Sequence, residues 1–165
     1  MAKIAVIYKS KYGWAKIYAE WIAQDLGADL IEVSAVKPAD LAGYDCVVYG
    51  GGLYAGSIAG VKAVLKANCK NLAVFSVGLA DPATAKYDIN INAKLFHLRG
   101  GIDYSKLNLA HKGIMAVLNK TISAKPESDW TSEDRGIRET YGGCVDFTDR
   151  ASITSIIDYV KEVLR

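Results

Sequence analysis

Cysteine is scarce: 165 residues contain three, Cys46, Cys69 and Cys144, with no CxxC pair and no zinc-type spacing. This excludes a disulfide scaffold and predicts reduced thiols in a cytoplasmic protein. An excess of one charge is also missing, since 20 basic and 18 acidic residues leave a net +2. The strong positive field of a protein that lives on nucleic acid or anionic lipid is therefore absent, and neither is expected as a partner. No apolar run approaches the roughly 18 residues of a membrane-spanning helix, and "MAKIAVIY" enters a strand without a charged leader, so a soluble chain with no integral membrane segment is expected. Histidine occurs twice, at His97 in a predicted strand and His111 on a predicted helix. Neither has a Ser or Cys nucleophile in a strained elbow beside it, so a structural or surface role is expected for both. No carboxylate constellation suggests a metal.

Apolar residues are plentiful, at 51% with 23% charged, which suits one compact domain over residues 1–165. Ala5, Val6 and Ile7 form a short continuous apolar run, the pattern of a strand covered on both faces. Ala15, Ala19, Ile22, Ala23 and Leu26 then recur at helical spacing over 14–26, and Gly27 supplies a stop. "DLIEVS" (29–34) alternates like an edge strand, and "DCVVYGGG" (45–52) is a third strand ending in three glycines. A helix is predicted over 60–69, a fourth strand over 71–78 and a fifth over 94–102. Residues 79–91 are polar, with room for a helix. Another helix is predicted over 108–122, and 123–143 reads as a polar loop. The chain closes in an amphipathic helix with Ile153, Ile156, Ile157, Val160, Val163 and Leu164 on its buried stripe and Thr148 or Asp149 as N-cap. The 123–147 segment is too long for an ordinary connection.

Five strands alternating with helices predict an α/β fold: a three-layer α/β/α sandwich around a doubly wound, five-stranded parallel sheet of order 2-1-3-4-5. Ligands bind such sheets at the carboxyl ends of the strands, beside the switch point between strands one and three. Three loops converge there. In the first, "SKYGWA", the start of helix one offers unpaired amides and a positive dipole end, with Ser10 adding a hydroxyl, Lys11 a cation and Gly13 close backbone approach. By itself this turn can also be a plain helix start, and it is neither a Walker loop nor GxGxxG. In the second, "GGGLYAGSIAG", Gly51, Gly52 and Gly56 allow tight approach while Leu53 and Tyr54 can lie against a flat ring. In the third, "SVGLADP", Gly78 and its small neighbours leave room for a planar group.

These three loops, at these spacings on this strand pattern, resemble the flavodoxin family, whose members hold FMN noncovalently. Residues 4–26, "IAVIYKSKYGWAKIYAEWIAQDL", are similar to the family's first strand, Ser/Thr-x-x-Gly-x-Thr phosphate loop and first helix. The resemblance implies FMN as cofactor. Ser10, Lys11, Tyr12, Gly13, Trp14 and Ala15 would lie at the phosphate, Gly51, Gly52, Leu53, Tyr54, Ala55 and Gly56 on one side of the ring, and Val77, Gly78, Leu79 and Asp81 on the other. It also implies that a backbone carbonyl near Ala55 or Gly56 accepts a hydrogen bond from the reduced flavin N5. Within the family, "HLRGGIDYSKLNLAHKGIMAVLNKTI" and "SEDRGIRETYGG" look most like the protoporphyrinogen-dehydrogenase branch. Two departures stand out. The closing Thr of the phosphate loop is Ala15 here, preceded by Trp14, and loss of one charge-assisted hydroxyl contact weakens binding by about 1.5–3 kcal/mol, or roughly ten- to a hundredfold. The chain is slightly basic, whereas electron-carrying flavodoxins are typically acidic. An oxidoreductase acting on a small molecule, a porphyrinogen or quinone, is therefore expected ahead of a noncatalytic electron carrier docking to a protein partner.

Overall fold

The computed structural model describes residues 1–85, 87 and 89–165. Lys86 and Asp88, within the passage expected to have room for a helix, lie outside the described residues. In chain order the elements are β1 (Ile4–Lys9), α1 (Trp14–Leu26), β2 (Asp29–Glu32), β3 (Cys46–Tyr54), β4 (Ser57–Ile58), α2 (Lys62–Leu65), β5 (Leu72–Gly78), β6 (Lys94–Arg99), β7 (Gly101–Asp103), α3 (Leu109–Ser123), α4 (Ser132–Thr140), β8 (Cys144–Asp146) and α5 (Thr154–Val163). The main sheet runs β2-β1-β3-β5-β6 with every pairing parallel. This is the expected doubly wound order of five parallel strands, with β4 folding back on the end of β3.

The apolar run of β1 is covered on both faces, as its lack of alternation predicts. Val6 packs with Val48, Ala73 and Phe75 beneath Ala19, Ile22 and the α5 residues Ile156 and Val160. Ala5 and Ile7 face the other way, with Val47, Tyr49, Val74, Leu41 and Val64. The stripe predicted for α5 is buried at Ile153, Ile156, Ile157 and Val160. Of its two expected caps Asp149 does the work, accepting a hydrogen bond from the Ala151 amide at 2.9 Å at the head of a 3-10 turn that leads into α5. Gly27 ends α1 in the left-handed conformation, φ 60°.

Five elements differ from expectation. The helix expected over 60–69 is the single turn Lys62–Leu65: Val61 and Val64 are buried, whereas Leu65 and Lys66 are exposed and Ala67 and Cys69 pack on the core only in part. Strand 94–102 breaks at Gly100, whose amide still donates to Gly78 O at 2.8 Å while its carbonyl accepts from the Phe147 amide at 3.0 Å. The chain then leaves the main sheet, and β7 pairs antiparallel with β8. The polar 123–143 stretch holds α4, started by a capping box: Asp134 N donates to Thr131 Oγ1 at 3.1 Å and Thr131 N to Asp134 Oδ2 at 3.0 Å. Its approach is pinned where Trp130 Nε1 donates to Ile122 O at 3.1 Å. Among the described residues of 79–91 there is a turn at 82–84 and no helix.

The fifth difference is after β3, where the glycine-rich loop is a two-residue hairpin. Ala55 (φ 48°) and Gly56 (φ 74°) are both left-handed, as a type I′ turn requires. An alanine there carries roughly 1 kcal/mol or more of strain that asparagine tolerates better. Ala55→Asn is therefore expected to raise Tm by about 2–4 °C in a thermal melt.

Candidate functional site

A cleft of about 600 Å³ opens at the carboxyl ends of β1, β3 and β5, a size within the range of ordinary cofactor sites. Its floor is built from the three predicted loops. Ser10, Lys11, Tyr12, Trp14 and Ala15 line it from the first, Gly52, Leu53, Tyr54 and Ala55 from the second, and Val77, Gly78 and Leu79 from the third. Four predicted residues do not border it. Gly13 shapes the first loop from behind, in the left-handed conformation at φ 98°. Gly51 faces the β4 hairpin, where a Cβ would lie 2.6 Å from Ala59 O. Gly56 sits in the turn, and the Asp81 carboxylate accepts from the Ala83 amide at 2.9 Å, closing its own turn.

The first loop presents a row of donors. The first α1 amide bonded within the helix is that of Ile17, to Gly13 O at 3.1 Å. Among the described residues the amides of Trp14, Ala15 and Lys16 have no acceptor, and no acidic residue occupies the first turn. Ser10 Oγ accepts from the Gly13 amide at 3.1 Å, holding the loop in shape and leaving the hydroxyl proton free to donate. Trp14 fills the space over Gly100 and Gly101: a Cβ on Gly101 would lie 2.8 Å from Trp14 Cη2. At the other end, a Cβ on Gly78 would lie 3.6 Å from Leu53 Cβ, so the second and third loops approach to van der Waals contact there.

The outer wall comes from residues the sequence does not mark. His111 is one: expected at the surface or in a structural role, it lines the cleft and its Nδ1 lies 2.6 Å from the Tyr12 hydroxyl. Its ring sits 6.0 Å from that of Tyr54. Ile114, Met115 and Leu118 of α3 continue the wall, and Glu133, Asp134 and Ile137 of α4 complete it. Gly136 seats α4 directly on the third loop, since a Cβ there would lie 2.7 Å from Leu79 O. The one available signal was the Thr131-x-x-Asp134 capping pattern; nothing in the periodicity marks α4.

Behind the third loop a hydrogen-bonded row runs inward. Tyr87 Oη lies 3.2 Å from His97 Nε2, which is also 3.3 Å from Ala80 O, while His97 Nδ1 is 2.9 Å from the buried Ser76 hydroxyl. Burial pushes the His97 pKa below its ordinary 6.5 and the Tyr87 hydroxyl up to about 12. The neutral imidazole has one N–H, and a carbonyl only accepts, so Nε2 carries the proton and Nδ1 accepts from Ser76. As pH falls through about 6.5 the unfolded chain takes up a proton before the native one does, so stability is full above that pH and declines below it. Thermal melts are expected to show Tm falling from about pH 7 to pH 5, with His97→Gln flattening that slope. Cys46 is a core residue whose thiol is pushed up to about 11 by burial. Among the described residues no three His, Cys, Asp or Glu side chains group as metal ligands. None of the described helices is long and apolar enough to cross a membrane.

A doubly wound parallel sheet, with free helix-start amides on one side of its switch point and two small-residue loops on the other, puts the chain in the doubly wound α/β class. Within that class, residues 5–129 match the flavodoxin domain family, and the chain belongs to it. Comparison with curated proteins gives no match. Among solved structures it is similar to a flavodoxin from the domain Archaea, at 20% identity, 46% of this chain, 62% of that one and a TM-score of 0.41. Flavodoxin 1 from Bacillus cereus is 17% identical over 59% of this chain and 84% of that one, TM-score 0.45. A flavoprotein in complex with FMN from Lactobacillus acidophilus is 16% identical over 60% of this chain and 93% of that one, TM-score 0.45. The chain thus spans just under two thirds of the archaeal flavodoxin.

Proposed function

We propose that this chain is a cytoplasmic FMN protein that transfers electrons or hydride to or from a small apolar molecule, a porphyrinogen or quinone in the manner of the protoporphyrinogen-dehydrogenase branch. The observation that carries the cofactor reading is the pairing of three acceptor-less amides and the Ser10 hydroxyl with a cleft bordered by two small-residue loops, in a chain of the flavodoxin family. In this reading the Trp14, Ala15 and Lys16 amides and Ser10 bind the phosphate, Lys11 adds charge, and Leu53, Tyr54 and Val77–Leu79 border the ring. Ala15 is buried in the core and contributes only its amide. When bound, the flavin supplies the electron transfer; the protein holds it and excludes water.

The apolar outer wall favours a small-molecule partner over a docked protein. Ile114 and Leu118 line the cleft yet remain 55% and 37% exposed, so they have surface to give to a ligand. Titration of the purified protein with FMN, followed by flavin absorbance, tests the cofactor; no binding at about micromolar concentration overturns it. Turnover of the loaded protein with reductant and a quinone, without any added reductase, separates an enzyme from a carrier.

A further inference from the structure

Helix α3 carries two stripes where a surface helix needs one. His111, Met115, Leu118 and Ile122, at spacings of three and four, form the inner stripe; the first three line the cleft and Ile122 is buried. Leu109, Gly113, Ala116, Val117 and Lys120, at i, i+4, i+7, i+8 and i+11, share the opposite face. All five are exposed, Leu109 by 87% and Val117 by 65%. Polar residues normally cover the solvent side of such a helix, yet Lys120 is the one polar side chain on this stripe.

Positive charge is gathered on the same helix. Residues 104–126 hold four lysines, at 106, 112, 120 and 125, and no aspartate or glutamate, while the remainder of the chain is net acidic. Lys106 and Lys125 reach acids outside the segment, Asp103 at 3.5 Å and Asp134 at 3.4 Å. Lys112 and Lys120 pair with no carboxylate among the described residues. The even balance of the whole chain excludes a broad positive field, but not this local one.

We propose that the outer stripe of α3 is a docking surface for an anionic phospholipid bilayer, on which the helix lies flat. Leu109 and Val117 enter the boundary between headgroups and acyl chains, and Lys112 and Lys120 reach the lipid phosphates with their stems along the apolar surface. From Leu109 to Lys120 the stripe is about 16 Å long, enough to lie on a bilayer and too short to cross one. A second copy of the chain fits this face badly. Lys120 sits on the stripe itself and would be buried against another lysine-bearing stripe, with no acid in 104–126 to pair it. Docking stands apart from the flavin reading, and only its consequence rests on that reading: the inner stripe walls the cleft, so docking brings the cleft to the phase in which a small apolar molecule dissolves.

Vesicle flotation with the full chain tests this, using phosphatidylcholine alone and phosphatidylcholine with about 30% phosphatidylglycerol. The wild-type protein is expected to bind the anionic vesicles at least about tenfold more tightly. Lys112→Gln/Lys120→Gln and, separately, Leu109→Ser/Val117→Ser should each weaken that binding about tenfold or more. Tm and FMN uptake should stay near wild type in both, because none of the four side chains borders the cleft. Absence of vesicle binding, equal binding to both kinds of vesicle, or binding undiminished by either pair of substitutions overturns the proposal. So does a dimer in lipid-free solution that Leu109→Ser/Val117→Ser dissolves, since a second copy would then cover the face. A wild-type chain that docks on anionic vesicles but takes up no FMN upholds the docking surface and overturns the flavin reading alone.

Discussion

Ser10→Asp is expected to lower FMN affinity about a hundredfold or more while leaving riboflavin binding within about threefold of wild type. The aspartate keeps an acceptor for the Gly13 amide, so the loop retains the shape that Ser10 now holds through its 3.1 Å hydrogen bond. It removes the donated proton and places a negative charge where the phosphate would sit, and like charges juxtaposed in a binding site cost several kcal/mol. Riboflavin has no phosphate, so a loss confined to FMN assigns the defect to the anion. Ser10→Thr, which keeps the hydroxyl, should stay near wild type. Equal losses for both flavins would mean that the loop had collapsed, and undiminished FMN binding would move the phosphate elsewhere. Fluorescence quenching of each flavin during titration measures all of these.

Gly50→Ala should destabilise the fold by about 3 kcal/mol, lowering Tm by about 6–12 °C. Gly50 lies in the middle strand of the sheet, paired with Tyr8 on one side and Phe75 on the other. A Cβ there runs into the Phe75 ring, and that ring is fully buried among Val6, Val48 and the helices above. A dense core offers it nowhere to go without displacing its neighbours. Trimming the ring in the double variant Gly50→Ala/Phe75→Leu should restore about half of the loss, since residues in contact do not contribute additively. A melt of the single variant at the wild-type temperature would show that the ring swings aside freely.

The inner half of this protein is legible in its sequence, and the reason is local. In β1, α1 and α5 the apolar spacing, the Gly27 stop and the Asp149 cap all favour the same structure, so position in the chain dictates position in the fold. The three loops then follow from topology alone, because a doubly wound sheet brings the ends of β1, β3 and β5 together. The outer wall obeys no such rule. Helix α3 carries apolar residues on its cleft side and, at Leu109 and Val117, on its solvent side, so its pattern does not say which face matters. Helix α4 buries one large apolar residue, Ile137, and hides among polar neighbours; a capping box starts it, and a glycine, which leaves no hydrophobic trace, seats it. Tyr87 and His111 reach the cleft across 10 and 99 residues of chain to their partners His97 and Tyr12, distances over which sequence spacing carries no geometric information.

The seat of α4 has a mechanical consequence. With Gly136 against the Leu79 carbonyl, no side chain lies between the helix and the loop, so there are no rotamers to absorb a displacement. A displacement of one would bear directly on the peptide plane of the other. A ligand that moved α4 would thereby act on the third loop, and any factor by which it changed the affinity of a second ligand held there would be returned to it by reciprocity.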